Sequence, residues 1–121
     1  MKVLIVDDEK NIQRLFEQRF RRERRKGEIE LFFAFSAEEA LSFLQEADES
    51  NFKFILSDIN MPQMDGLELL KLIKQDFPEL EVFIISAYGD EQRRQAAQQY
   101  GATDFLNKPI DFDLLKEKLL P

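Results

Sequence analysis

Five short apolar segments alternate with segments of helical period along this chain, and this alternation limits the possible folds more than any other feature. The apolar segments are Val3–Val6, Leu31–Phe35, Phe52–Leu56, Val82–Ile85 and the shorter Asp104–Leu106. Three of them are almost continuously apolar, as expected of parallel strands that are covered on both faces. Strands that alternate with helices form right-handed crossovers onto one parallel sheet. The sequence therefore predicts a single α/β domain, a doubly wound (βα)₅ unit with helices on both faces of a five-stranded sheet.

The predicted helices carry recognisable start and stop signals. The first has apolar residues at three- and four-residue steps and ends at a glycine, and the second opens with a capping box. The third follows an Asp-Gly pair and ends before a proline, and the fifth follows an aspartate N-cap. These signals are Gly27, Ser36 with Glu39, Asp65-Gly66, Pro78 and Asp111. The fourth helix is predicted from near Asp90 to Gly101.

The composition excludes several kinds of chemistry. The chain has 121 residues, which predicts one domain over residues 1–121, and it contains neither cysteine nor histidine. Disulfides, thiolate metal sites and histidine general bases are therefore excluded, so carboxylates, lysines and hydroxyls remain for chemistry. A bound metal would be a hard cation held by oxygen atoms, such as Mg²⁺, Mn²⁺ or Ca²⁺.

The charge of the chain bears on its partners. A formal net charge of −7 argues against nucleic acid binding by this domain, because neutralising phosphates requires a basic face. The exception is the basic run of Arg21, Arg22, Arg24, Arg25 and Lys26. This run predicts the solvated end of a helix, with contact to an acidic partner as the alternative. No apolar run approaches the roughly 20 residues of a membrane span, so a soluble cytoplasmic protein without a membrane partner is expected.

Polar residues stand where the predicted strands end. The first strand ends in Asp7-Asp8, the third in Asp58, the fourth in Ser86 and the fifth in Lys108-Pro109. In a parallel sheet these ends meet at one edge, and ligands of such sheets bind outside that edge. The sequence therefore predicts three carboxylates, a hydroxyl and an ammonium in one small volume.

The charges of this predicted cluster indicate what it binds. Three carboxylates and one ammonium sum to −2, and two carboxylates about 5 Å apart repel by roughly 3 kcal/mol at an effective dielectric constant near 20. A divalent cation would cancel this charge, and Mg²⁺ prefers one or two carboxylates together with waters and a phosphate oxygen. The cluster thus predicts a hard-metal site with room for a phosphoryl group. Each residue taken alone has another interpretation, an aspartate as a helix N-cap, the serine as an ordinary strand end and the lysine as a surface cation.

At these residues the chain resembles the receiver domains of two-component response regulators, over essentially its whole length. The resemblance rests on four motifs in order: VLIVDDE at residues 3–9, ILSDINMPQMDG at 55–66, IISA at 84–87 and GATDFLNKP at 101–109. It implies a flavodoxin-like fold with strand order 2-1-3-4-5. It also implies a signalling switch that is activated by phosphorylation rather than an enzyme.

The resemblance implies a role for each matching residue. Asp58 would be the phosphoacceptor and Lys108 would contact the phosphoryl oxygens. Mg²⁺, with Mn²⁺ as the expected substitute, would be bound by Asp8, Asp58 and the backbone carbonyl of Asn60, and by Asp7 largely through a water. Ser86 and Phe105 would be the switch hydroxyl and the switch aromatic. Asn60 and Tyr88 would lie at the mouth of the site and tune hydrolysis of the acyl phosphate.

The same resemblance implies the partners. The phosphoryl donor would be a phosphohistidine on a sensor histidine kinase or a histidine phosphotransfer protein, because this chain has no histidine. The face formed by the fourth helix, the fifth strand and the fifth helix would change on phosphorylation and control an output domain or partner protein. A phosphorylation-dependent homodimer through this face is a further expectation.

Two other functions remain open at this point. A Mg²⁺-dependent phosphohydrolase of the haloacid dehalogenase type also uses an aspartate nucleophile after a strand. That family requires Asp-x-Asp after the first strand and usually a cap domain, whereas this chain has Asp7-Asp8-Glu9 and no insertion that could form a cap. The third hypothesis is an interaction module that works without phosphorylation. The sequence does not identify the output, the kinase or the pathway.

Overall fold

A computed structural model describes residues 1–46, 52–87 and 91–120. Its strands are β1 (Lys2–Val6), β2 (Glu30–Ala34), β3 (Phe52–Asp58), β4 (Glu81–Ser86) and β5 (Asp104–Asn107). Its helices are α1 (Asn11–Arg19), α2 (Arg21–Arg25), α3 (Ala37–Glu46), α4 (Gly66–Asp76), α5 (Glu91–Gln99) and α6 (Phe112–Leu119). All five predicted strands are present, and their bounds differ from the predicted ones by at most two residues.

The strands form one parallel sheet in the order β2-β1-β3-β4-β5. This order reverses direction between β1 and β3, and an open α/β sheet of this kind binds its ligand at such a switch point. The predicted doubly wound fold, including the flavodoxin-like order 2-1-3-4-5, is confirmed. Among the described residues, no helix is long and apolar enough to cross a membrane.

Two hydrophobic clusters cover the two faces of the sheet. One cluster packs side chains of α3, α4 and α5, such as Leu44, Leu69 and Ala97, against the sheet. The other packs α1 and α6, through Phe16 and Leu115, against the opposite face. Burial of β1, β3 and β4 on both sides explains why their sequences are almost continuously apolar.

The basic run forms a helix of its own that the sequence analysis did not predict. Phe20 is fully buried and stacks on Phe16 with ring centroids 5.9 Å apart, and the backbone leaves helical geometry at Phe20. The five residues of α2 follow at once. Oε2 of Glu23 lies 3.3 Å from Nζ of Lys116 in α6. The arginines of α2 are exposed, which agrees with a solvated helix end. Because α2 is additional, the fourth and fifth predicted helices are α5 and α6.

The capping predictions hold where the structure describes them. The Ser36 hydroxyl accepts a hydrogen bond from the Glu39 backbone N–H, and the carboxylates of Asp65 and Asp111 accept from the N–H groups three residues on. These caps satisfy donors that a helix leaves unpaired at its first turn. The predicted start of the fourth helix near Asp90 lies outside the described residues.

Candidate functional site

The ends of β1 and β3 bring the three predicted aspartates together. The two strands pair in parallel up to Val6 and Ser57, so Asp7 and Asp58 follow side by side. Carboxylate oxygens of Asp7, Asp8 and Asp58 all lie within 4.8 Å of one another. Asp7 and Asp58 are buried, with 4% and 6% of their surface exposed, whereas Asp8 is exposed. The predicted convergence at the sheet edge is therefore present.

Lys108 reaches this cluster from the segment that follows β5. Its Nζ lies 3.2 Å from Oδ1 of Asp58 and 3.6 Å from Oδ2 of Asp7. The backbone fixes this approach, because the Lys108 N–H donates a hydrogen bond of 2.8 Å to the Ser86 carbonyl. The Lys108–Pro109 peptide bond is cis. One ammonium is thus shared between two buried carboxylates.

The electrostatics of the cluster favour the binding of additional positive charge. Burial raises the pKa of the Asp7 carboxyl, although a hydrogen bond from the Glu9 N–H opposes this. Burial and the neighbouring charge of Asp7 raise the pKa of the Asp58 carboxyl, although Lys108 lowers it in part. Burial opposes the charged form of Lys108, but the Asp58 and Asp7 carboxylates outweigh it and raise the pKa of Lys108. Lys108 therefore neutralises only part of the negative charge of the buried carboxylates.

The donor atoms at this edge fit a hard divalent cation. They are carboxylate oxygens within 4.8 Å of one another, and a hard cation such as Mg²⁺ prefers oxygen ligands. Asp8 is exposed and therefore accessible to a hydrated ion, while Asp7 and Asp58 provide the buried side of the cluster. The residues present are thus the right kind and close enough to bind one ion.

The loop after β3 carries Asn60 and leads to α4. The Asn60 side chain is exposed, and its Oδ1 accepts a hydrogen bond from Nη1 of Arg93 in α5. The loop is held against the strand end by Gly66, whose N–H donates to the Ile59 carbonyl at 2.9 Å. A Cβ at Gly66 would lie 2.3 Å from the backbone oxygen of Asp58, so this close approach requires glycine.

The two predicted switch residues lie on neighbouring strands. Ser86 is fully buried at the end of β4, one residue beyond Ile85, which pairs with Asp58. Phe105 in β5 pairs with Ile84 and is half-buried, with the Arg94 guanidinium 5.1 Å from the centre of its ring. A cavity of about 220 Å³ between α5 and β5 borders Phe105. Tyr88, predicted at the mouth of the site, lies outside the described residues.

Three residues near the site were not singled out by sequence reasoning. Arg93 belongs to a polar helix that gave no signal of a contact with Asn60. Gly66 was interpreted only as part of a helix start, although the Asp-Gly pair shortly after Asp58 could have suggested a tight approach. Ser57 is fully buried, and its hydroxyl donates to the Asp58 backbone carbonyl at 3.0 Å.

Comparison with known proteins identifies the family. Residues 3–120 match the family model of the response regulator receiver domain. The chain belongs to this family. Over 111 residues, which are 92% of the chain, this receiver domain is 40% identical to the DNA-binding transcriptional regulator NtrC of Proteus hauseri. It is 38% identical over 110 residues to the response regulator protein FleR of Pseudomonas aeruginosa. The chain spans 22% of the length of each of these relatives.

Solved structures agree with this assignment. The receiver domain of NtrX from Brucella abortus is 32% identical and superimposes with a TM-score of 0.79, covering 96% of this chain and 95% of that one. A response regulator receiver domain protein from Clostridium thermocellum is 28% identical with a TM-score of 0.84, covering 96% and 88%. The receiver domain described here therefore shares both fold and family with phosphorylation-activated two-component regulators.

Asp7→Asn should stabilise this receiver domain when no divalent metal is present. Folding raises the pKa of the Asp7 carboxyl above its unfolded value near 3.8, so the protonated form favours the folded state. This stabilisation is fully present below the unfolded pKa and is lost as the pH rises through the folded pKa. Ionised Asp7 therefore destabilises the fold at neutral pH. The substitution removes a buried charge and its repulsion with Asp58, at the cost of its attraction to Lys108. It should raise the free energy of unfolding by about 1 kcal/mol and the Tm by about 3–6 °C.

Thermal unfolding in a chelating buffer measures this effect. The gain should be present at pH 7 and disappear as the pH falls below 4, where the wild-type carboxyl is protonated. Asp65→Asn removes the same charge from a helix start outside the cluster and still provides a cap, so it should change the Tm little. A lower Tm for Asp7→Asn at neutral pH would mean that the Asp7 carboxylate is needed for structure. Asp8→Asn is expected to act in the same direction.

Proposed function

We propose that this receiver domain accepts a phosphoryl group on Asp58 from a phosphohistidine of a sensor histidine kinase or a histidine phosphotransfer protein. One observation carries the proposal: the buried Asp58 carboxylate lies 3.2 Å from the Lys108 ammonium and within 4.8 Å of oxygens of two further aspartates. That arrangement presents a nucleophilic oxygen beside positive charge, at the switch point of the sheet. Because the chain has no histidine, the donor would be another protein.

The carboxylates of Asp7, Asp8 and Asp58 and the backbone carbonyl of Asn60 would hold Mg²⁺, for which Mn²⁺ would substitute. The bound ion would neutralise charge on the transferring group, as it does in phosphoryl transfer generally. The uncompensated negative charge of the cluster and its oxygen-only donor set support this assignment. As the family resemblance implies, Asp7 would act largely through a water.

The residues of the chain would carry out the transfer by position and charge. A carboxylate oxygen of Asp58 forms a bond to phosphorus as the bond from phosphorus to the donor imidazole nitrogen breaks. Lys108, now 3.2 Å from Asp58, would move its ammonium onto an equatorial phosphoryl oxygen. The exposed Asp8 places the cluster at the surface, and the donor would have to approach opposite the Asp58 oxygen. In such a transfer only Asp58 forms a covalent bond, and the other residues act by positioning the reacting groups and stabilising their charge.

Phosphorylation would then change the conformation of the face formed by α5, β5 and α6. The Ser86 hydroxyl would turn toward a phosphoryl oxygen, and Phe105 would turn inward into the space that this movement leaves. The half-buried state of Phe105 and the cavity beside it support such a movement. The reshaped face would bind an output domain or partner protein, or a second copy of the chain, in the cytoplasm.

The domain would be a switch and not an enzyme. Each molecule would carry one phosphoryl group at a time, and slow hydrolysis of the acyl phosphate would regenerate the Asp58 carboxylate. Asn60 would admit or orient the attacking water, and Tyr88 would cover the phosphoryl group and lengthen its lifetime by excluding water. A haloacid dehalogenase-like hydrolase would instead release phosphate continuously from a small phosphoester. Sustained turnover therefore distinguishes the two functions.

Labelling of the wild-type domain tests the proposal. Incubation with a small acyl phosphate or phosphoramidate and Mg²⁺ should add one phosphoryl group, as measured by intact mass. A chelator should suppress the reaction, and Mn²⁺ should restore it. Reduction of the acyl phosphate followed by peptide mapping should locate the label at Asp58. Labelling at another residue, or labelling that is unaffected by removal of divalent metal, would refute the proposed site.

A further inference from the structure

A side chain of α5 contacts the mouth of the site directly. Arg93, in the first turn of α5, donates a hydrogen bond through Nη1 to Oδ1 of Asn60, two residues after Asp58. The two residues are 33 positions apart in the sequence, so the contact joins elements that meet only in the folded domain. Arg93 is half-buried and Asn60 exposed, so the contact lies where solvent enters.

The contact fixes the orientation of the Asn60 amide. A side-chain amide has one accepting oxygen and one donating nitrogen, and which of them faces a neighbour is decided by its hydrogen bonds. A guanidinium is always charged and only donates, so it selects the oxygen. With Oδ1 bound to Arg93, the accepting group of Asn60 is held toward α5, and one of the two acceptor positions of that oxygen is filled.

We infer that Arg93 is a positioning residue that sets the lifetime of the phosphorylated state by occupying Oδ1 of Asn60. This inference rests on the proposed phosphorylation of Asp58. In hydrolysis, a water oxygen forms a bond to phosphorus while the bond from phosphorus to the Asp58 oxygen breaks. The products are inorganic phosphate and the free Asp58 carboxylate, and the protons of the water end on phosphate or solvent. An attacking water is oriented by a group that accepts its hydrogen bond. The Arg93 hydrogen bond competes with such a water for Oδ1 and fixes the direction in which Oδ1 can accept.

Release of the amide should therefore speed hydrolysis. Arg93→Ala should shorten the lifetime of the phosphorylated domain about fivefold, which is about 1 kcal/mol of barrier. Arg93→Lys keeps a cationic donor and should recover part of the wild-type lifetime. Arg25→Ala is the control. It removes the same charge from the end of α2, which follows α1, and should leave the lifetime unchanged. The measurement is the decay of the phosphorylated mass after removal of the phosphodonor.

A double substitution separates action through Asn60 from direct action on the phosphoryl group. Asn60→Ala removes the amide but keeps the backbone carbonyl proposed as a metal ligand. If Arg93 acts through the amide, adding Arg93→Ala to Asn60→Ala should change the decay rate no further. If Arg93→Ala still speeds decay about fivefold in that background, Arg93 acts on the phosphoryl group itself and the inference is wrong. An unchanged lifetime in the single variant would also overturn it.

The contact can be tested without phosphorylation. The side-chain amide signals of Asn60 in the unphosphorylated domain should shift in Arg93→Ala and stay in place in Gln95→Ala, which alters an exposed position of the same helix. Unshifted Asn60 signals in Arg93→Ala would overturn the inference even if Asp58 is phosphorylated normally. A wild-type domain that takes no label would instead refute the proposed function, and with it the effect on hydrolysis.

Discussion

Asp58→Asn is expected to abolish phosphoryl incorporation into the receiver domain completely. An amide has the shape of a carboxylate but lacks its negative oxygen nucleophile, so no acyl phosphate can form at this position. The neighbouring groups should stay in place, because the Lys108 N–H is bound to the Ser86 carbonyl and does not depend on the Asp58 side chain. Intact-mass measurement after incubation with a small phosphodonor and Mg²⁺ gives the result directly.

Asp65→Asn is the matched control for this loss. It makes the same chemical change at the start of α4, where the side chain accepts a hydrogen bond from the Glu68 N–H and an asparagine would do the same. The control should take up one phosphoryl group as the wild type does. Equal labelling of the Asp58→Asn variant would mean that the acceptor is another residue, and Asp7 and Asp8 would be the next to replace.

The predictions that the structure confirms rest on local rules. Continuous apolar segments identified the strands, and capping residues such as Ser36 and Asp111 identified helix starts, because both depend on nearest neighbours along the chain. The meeting of Asp7, Asp8 and Asp58 also followed from the sequence, since parallel strands bring their carboxyl ends to one edge. No distance between side chains was needed for that step.

The features that were missed depend on contacts between distant elements. The break between α1 and α2 occurs because Phe20 is buried against Phe16 and Phe112 while Glu23 turns to Lys116, and no local signal marks it. The α2 segment has strong helix formers throughout, so propensity alone predicts continuity. The Arg93 contact with Asn60 likewise joins a polar helix to a loop, and nothing in the pattern of either segment indicates the other.

Gly66→Ala tests how tightly the site is built against α4, and we expect it to be strongly destabilising. The added methyl group would lie 2.3 Å from the backbone oxygen of Asp58 and 2.9 Å from the Cα of Ile59, so backbone atoms would have to move. Inserting a methyl group into a packed region destabilises a protein by up to about 3 kcal/mol. A loss of that size would lower the Tm by about 10–15 °C for a domain of this size. Because the displaced carbonyl belongs to Asp58, the rate of phosphorylation should fall as well.

Gly27→Ala provides the comparison that separates this close approach from a general effect of replacing glycine. Gly27 has a φ of +73°, and no atom outside Gly27 and its two chain neighbours lies within 4 Å of an added Cβ, so only the backbone preference of alanine opposes the change. That preference costs roughly 1–2 kcal/mol, and Gly27 follows α2, away from Asp58, so phosphorylation should proceed at the wild-type rate. Thermal unfolding and labelling rates of both variants give the answer. Equal losses of Tm with unaltered labelling in both would show that the loop after β3 relaxes around the methyl group, and that the approach of α4 does not fix Asp58.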